Sequence, residues 1–307
     1  MDICGRQSKL LTVNFLRATW RVCKRLVWET ATDNTAGLAS QLAYTLLFAV
    51  APVLFFLWHL LGLFGTDPAK LHGMFVVVQS FLPPDAKVQE VLDLAVASVV
   101  TTGASGWLAN TGIFLGIYLG TMFIATVSRS LSHTYGVKEL RNWWSKYIIS
   151  FLLLFWFAIV ILICFNAVVF GETLAGVAEV NFQLKFPLQV WITYLNLPLT
   201  LISLIGLALV LYLLTPENYL TIRQALPGAV FFSIGWIIVT KLFQIYVARY
   251  SRYDATYLAL ASIIILLTWM YLTCLFLLLG GKLNAILRRE RERHQKVESG
   301  EVAAQPA

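Results

Sequence analysis

Charge is what this sequence has least of. Only 13% of its 307 residues are Asp, Glu, Lys or Arg, against 59% hydrophobic and a mean hydropathy of +0.74. One water-soluble core of this length could not enclose so much apolar surface, so lipid has to be the solvent. The apolar runs hold almost no acidic residues, which argues against Asp/Glu proton relays and leaves a ribonuclease without carboxylates to set against a phosphodiester. Cysteines are few: Cys4 and Cys23 fall in the N-terminal arm, Cys164 and Cys274 inside apolar runs, so neither a disulfide framework nor a Cys metal site is implied. The histidines His59, His72, His133 and His294 are scattered among different segments, which gives a metal cluster little support. A P-loop, an HExxH helix and a nucleophile elbow are all missing. No enzyme, metal or cofactor is therefore expected.

What is present is a series of apolar runs about 20 residues long, the length of a helix crossing a bilayer rather than of an alternating barrel strand. Spans are expected at approximately Leu38–Phe64, Trp107–Val127, Tyr147–Phe170, Val190–Leu214, Leu226–Ala248 and Thr256–Gly280. The fold class is an all-α integral membrane protein of about six transmembrane helices. Residues 1–35 form a basic amphipathic arm, 36–287 the transmembrane domain and 288–307 a charged tail expected to be disordered at its end. No cleavable signal peptide is evident, because the first strong apolar run begins near Leu38, behind a basic segment that lacks a small-residue cleavage site.

The net charge of +7 raises nucleic acid as a partner, but the cations sit beside spans, where orientation signals and anionic lipids place them. Arg6, Lys9, Arg17, Arg21, Lys24 and Arg25 precede the first span, Arg129, Lys138, Arg141 and Lys146 follow the second, and Lys282 through Lys296 close the chain. Both termini are expected in the cytoplasm. Leu10–Trp28 reads as an interfacial helix, with Arg17, Arg21, Lys24 and Arg25 on one face to meet anionic headgroups and Leu16, Trp20, Cys23 and Val27 on another. The connection Gly65–Gly106 is too long for bare loop and is expected to carry an external amphipathic helix that starts after Asp85.

Polar residues inside spans mark candidate sites, since a charge at the membrane centre is costly without water or a partner. Lys241, about 22 Å into the fifth span by helical rise, is the leading case, followed by Gln244. His59, Asn166 and Asn196 fall in the outer portions of their spans, and Arg249, Arg252 and Asp254 form the turn after the fifth. One reading is structural: Lys241 snorkels, the asparagines tie helices together, and an arginine pairs with Asp254. The other is an outward-facing hydrated cavity whose cations hold an anionic group such as a lipid phosphate. Pro52 and Pro198 kink their spans, and Trp269 fits packing better than ligand binding. Gly112, Gly116 and Gly120 recur every fourth residue and allow close helix approach, within the chain or in a homo-oligomer.

The stretch LASQLAYTLLFAVAP from Leu38 to Pro52 and the stretch from Leu226 to Leu287 resemble the YihY/BrkB family of bacterial inner-membrane proteins, once mislabelled ribonuclease BN. The resemblance is carried by Leu42, Ala43, Tyr44, Pro52, Gly228, Ala229, Tyr246, Tyr253, Tyr257, Trp269, Tyr271, Leu279 and Gly280, and covers roughly Asp33 to Leu287. Three positions depart from the family pattern: Lys282 where relatives carry Glu, Leu258 in place of a small Gly, and Ser132 where Asn is common. Lys282 is expected to reinforce the cytoplasmic end of the last helix. The resemblance is to a family linked with serum resistance and without an agreed molecular activity, and the missing nucleophile and metal constellations disfavour an intramembrane enzyme. Two functions fit: binding or transport of an anionic amphiphile or envelope lipid through an outward-facing polar cavity, or a non-transporting scaffold and envelope-integrity factor. Partners are membrane lipids, with nucleic acid set aside.

Overall fold

The structure is a computed structural model and describes residues 20–22, 24–63, 107–136, 142–160, 188–214, 220–250 and 255–298. Every regular element among the described residues is an α-helix. In chain order these are α1 (20–32, with residue 23 not described), α2 (Thr35–Leu63), α3 (Trp107–Tyr135), α4 (Trp143–Val160), α5 (Leu188–Leu214), α6 (Ile222–Tyr250) and α7 (Ala255–Glu298). Each of the six expected spans overlaps one of α2 to α7. Among the described residues, α3, α4, α6 and α7 are long and apolar enough to cross a membrane, and α2 and α5 carry shorter apolar stretches, Thr35–Val50 and Leu201–Leu214. The external helix expected within Gly65–Gly106 lies outside the described residues.

Local chemistry fixes the helix ends. Asn34 adopts a left-handed conformation (φ 49°), which its short polar side chain tolerates and which separates α1 from α2. Gly136, at φ 69°, stops α3, and its N–H donates to the His133 carbonyl at 3.0 Å. α6 starts with the reciprocal half of a capping box: the Gln224 side chain accepts from the Thr221 N–H at 3.2 Å, while the Thr221 carbonyl accepts from the N–H groups of Gln224 and Ala225.

Packing centres on α7, which touches α2, α3 and α6, while α2 lies along α3 and α5 along α6. The main core draws Leu42 and Ala43 from α2, Val127 and Leu131 from α3, Tyr212 from α5, Ala225, Ala229 and Phe232 from α6, and Met270, Leu278 and Ala285 from α7. The glycine stripe on α3 is used within the chain. A Cβ at Gly116 would lie 2.3 Å from the Pro52 carbonyl oxygen of α2, and one at Gly120 would lie 2.8 Å from the Leu154 side chain of α4 and 3.0 Å from that of Val53. The close backbone approach is therefore to α2 at Gly116, while Gly120 makes room for side chains of α2 and α4.

The charged first part of the C-terminal tail is helical, and the end of the tail lies outside the described residues. α7 runs 44 residues to Glu298, about 66 Å at helical rise, and so extends well past a hydrocarbon core of about 30 Å. Its alternating charges stabilise the extension, with Arg288 and Glu292 paired at 2.7 Å one turn apart. Residues 299–307 lie outside the described residues.

Candidate functional site

Helix direction brings the start of α2, the end of α3, the end of α5, the start of α6 and the late part of α7 to one end of the bundle. This end also carries α1, and here the described chain concentrates its buried polar groups. Lys282 is fully buried, with 0% relative exposure, in mid-helix. Its ammonium donates to the Glu29 carbonyl, to Asp33 Oδ2 at 2.7 Å and to Thr35 Oγ1 at 3.3 Å, one acceptor for each of its protons. All of these acceptors belong to the α1–α2 corner. The hydrogen bond from Lys282 holds the Asp33 carboxyl below the usual carboxylate range, and the neighbouring charges of Lys282, His133 and Arg289 act in the same direction. The expected role of Lys282, a cation decorating a helix end, is thus replaced by an interior one: α7 does not end there, and the side chain is spent on α1 and α2.

Farther along α7, Arg289 reaches Glu29 at 3.4 Å and donates to the Tyr135 carbonyl, the last of α3, at 3.3 Å. Arg25 pairs with Glu29 at 2.8 Å and with Glu290 at 2.7 Å. Positions 25, 29 and 33 share one face of α1, and positions 282, 289 and 290 one face of α7. The pairs run 33 to 282, 29 to 289 and 25 to 290, so the two helices lie antiparallel along an ionic seam.

One layer deeper, α6 and α7 meet backbone to backbone. A Cβ on Gly228 would fall 2.1 Å from the Gly280 carbonyl oxygen, and one on Gly280 would fall 2.5 Å from the Tyr212 hydroxyl. Only glycine permits so close an approach. Asn284, fully buried, clamps the crossing: its Oδ1 accepts from the Gly228 N–H at 2.7 Å and its Nδ2 donates to the Ala225 carbonyl at 3.0 Å. Tyr212 donates to the Leu277 carbonyl at 2.6 Å. Beside them on α3, the Ser132 hydroxyl is buried and bonds to no protein group, while the buried Tyr135 hydroxyl lies against the Asn284 side chain.

Of the residues singled out from sequence, Arg25 belongs to this end, and the structure does not bring the proposed cavity residues together among the described residues. Lys241 is exposed on α6, on the apolar face that also shows Ile234, Ile238 and Ile245, and its ammonium donates to Gln244 Oε1 at 3.2 Å. His59, Asn196 and Arg249 lie on the backbone of α2, α5 and α6, with side chains outside the described residues, and Asn166, Arg252 and Asp254 lie outside them entirely. Of the arm cations, Arg21 and Lys24 are exposed, Arg25 is engaged with Glu29 and Glu290, and Arg17 lies outside the described residues. Trp269 is a packing residue, edge-on to Trp236 with its Nε1 donating to Thr240 at 3.3 Å. The polar end cluster was missed because Glu29, Asp33 and Lys282 resemble ordinary span-flanking charges. A signal was nonetheless present in Gly280-Gly281-Lys-Leu-Asn-Ala-Ile, where Lys282 and Asn284 sit between residues suited only to tight apolar packing.

This arrangement defines a multi-pass helical membrane protein with a closely knit polar end and no evident catalytic constellation among the described residues. The chain belongs to the Virulence factor BrkB family, whose sequence profile matches residues 27–304. It is similar to the ribonuclease-like protein YfkH of Bacillus subtilis (31% identical, covering 83% of this chain and 90% of that one). It is also similar to the UPF0761 membrane proteins VP0125 of Vibrio parahaemolyticus (25%, covering 94% and 88%) and of Tolumonas auensis (25%, covering 86% and 83%). No solved structure matches the chain.

Proposed function

We propose that the protein is a non-enzymatic inner-membrane protein, its termini in the cytoplasm, that binds or moves an anionic amphiphile such as an envelope lipid from the outer side. The observation that carries this reading is Lys241. It is a cation on a lipid-length helix, exposed among Ile234, Ile238, Leu242 and Ile245, with a neutral amide as its hydrogen-bond partner and no carboxylate paired with it among the described residues. A cation so placed is stabilised by an anionic headgroup reaching it from the bilayer. The firm closure of the opposite end by Gly228, Gly280 and Asn284 supports access from the outer side. The helical extension of α7, projecting past the membrane with α1 along it, favours a second reading as a scaffold.

Lipid analysis of the detergent-extracted protein tests the choice. Enrichment of one anionic lipid over its share in the membrane is the expected result, whereas a composition matching the bulk membrane would leave the scaffold.

A further inference from the structure

We propose that α1 is a gate strap: the ionic seam to α7 closes the α1-side end of the bundle, and release of α1 opens that end locally while the rest of the bundle stays folded. The seam has two stages of different character. Its outer stage, Arg25–Glu290 and Arg289–Glu29, is partly exposed, so solvent and salt weaken it. Its inner stage, Lys282 with the Glu29 carbonyl, Asp33 and Thr35, is shielded on the lysine side and holds when the outer stage fails. Trp20, Val27 and Trp28 on the other face of α1 are turned away from the core toward the bilayer interface, so among the described contacts the seam is what ties α1 to the bundle rather than to the membrane.

What the strap covers is polar. Arg289 lies across the end of α3 through the Tyr135 carbonyl, and a Cβ added at Gly136 would meet its guanidinium at 3.1 Å. Immediately inside, the Ser132 hydroxyl is buried without a protein partner. A hydroxyl left in that state is stabilised by any opening that hydrates it, so the free energy of local opening is smaller here than in the apolar core. In the core, Cys274 is 2% exposed and lies among apolar neighbours on α7.

The two locations supply a reporter and a control. In full-length protein with Cys4, Cys23 and Cys164 replaced by Ser, alkylation by N-ethylmaleimide is followed by mass spectrometry at the Ser132→Cys thiol and at Cys274, with the seam intact or broken by Lys282→Met. Asp33→Asn, a milder change at a partly exposed residue, is measured alongside in case Lys282→Met fails to fold. Breaking the seam is expected to speed alkylation at Ser132→Cys by about tenfold or more while Cys274 keeps its protection. Unchanged protection at Ser132→Cys in a folded variant would overturn the gate. Equal loss of protection at both positions would also overturn it, since the seam would then be part of global stability. The readout needs no cargo, so it stands or falls separately from amphiphile binding.

Discussion

Replacing Gly228 by Ala tests the crossing of α6 and α7 at its tightest point. An alanine normally gains about 1 kcal/mol over glycine inside a helix. Here its Cβ would meet the Gly280 carbonyl oxygen at 2.1 Å and the Asn284 amide at 2.5 Å, and a backbone oxygen cannot rotate away. The helices must separate by roughly 1 Å, which overpacking data put at about 1–3 kcal/mol or more. That movement also stretches the 2.7 and 3.0 Å bonds of Asn284, leaving buried groups unmet at about 1–3 kcal/mol. The net destabilisation is about 1–5 kcal/mol, a fall in Tm of roughly 2–10 °C. Gly206 on α5 supplies the control, because a Cβ there meets nothing within 4 Å and Ala should stabilise by about 0.5–1 kcal/mol. Thermal unfolding in one detergent measures both. A Gly228→Ala protein as stable as wild type, or a Gly206→Ala protein equally damaged, would refute the close crossing.

Further expectations follow from the same end of the molecule. Asn284→Leu removes both clamp bonds and should destabilise by about 2–4 kcal/mol in denaturation, whereas Ser132→Ala, which removes a hydroxyl without a protein partner, should be neutral or stabilising. Arg25→Gln breaks only partly exposed pairs and should cost at most about 1 kcal/mol, a difference that shrinks as salt rises. Because the folded-state pKa of Asp33 is depressed below its ordinary value of 3.8, its contribution is present above that value and is lost as pH falls through the folded-state pKa. The Tm gap between wild type and Asp33→Asn should therefore be constant near neutrality and close in strong acid; a gap that widens on acidification would contradict the pairing with Lys282.

The architecture was legible because apolar runs of bilayer length have one backbone solution, and the glycines of α3 announced close packing without naming their partner. The partners Pro52, Val53 and Leu154 come from distant parts of the chain, and spacing along one helix carries no information about them. Lys282 shows the same limit more sharply. Read locally it is a cation after an apolar run; only the folding of α1 back along α7 brings Glu29 and Asp33 to its ammonium. The helical first part of the tail was legible only in that Arg288 and Glu292 stand one turn apart; the Ala/Gln/Pro residues that end the chain lie outside the described residues. Lys241 was recognised from sequence as an unusual charge, and the structure adds that it faces outward with Gln244.

The amphiphile reading turns on that lysine. Copurified lipid per folded protein, measured for wild type, Lys241→Met and Lys241→Arg at matched thermal stability, tests it most directly. Loss of the anionic lipid in Lys241→Met with retention in Lys241→Arg is the predicted result, because the charge and not the chain length holds the headgroup. Indistinguishable lipid profiles in all three proteins would contradict it.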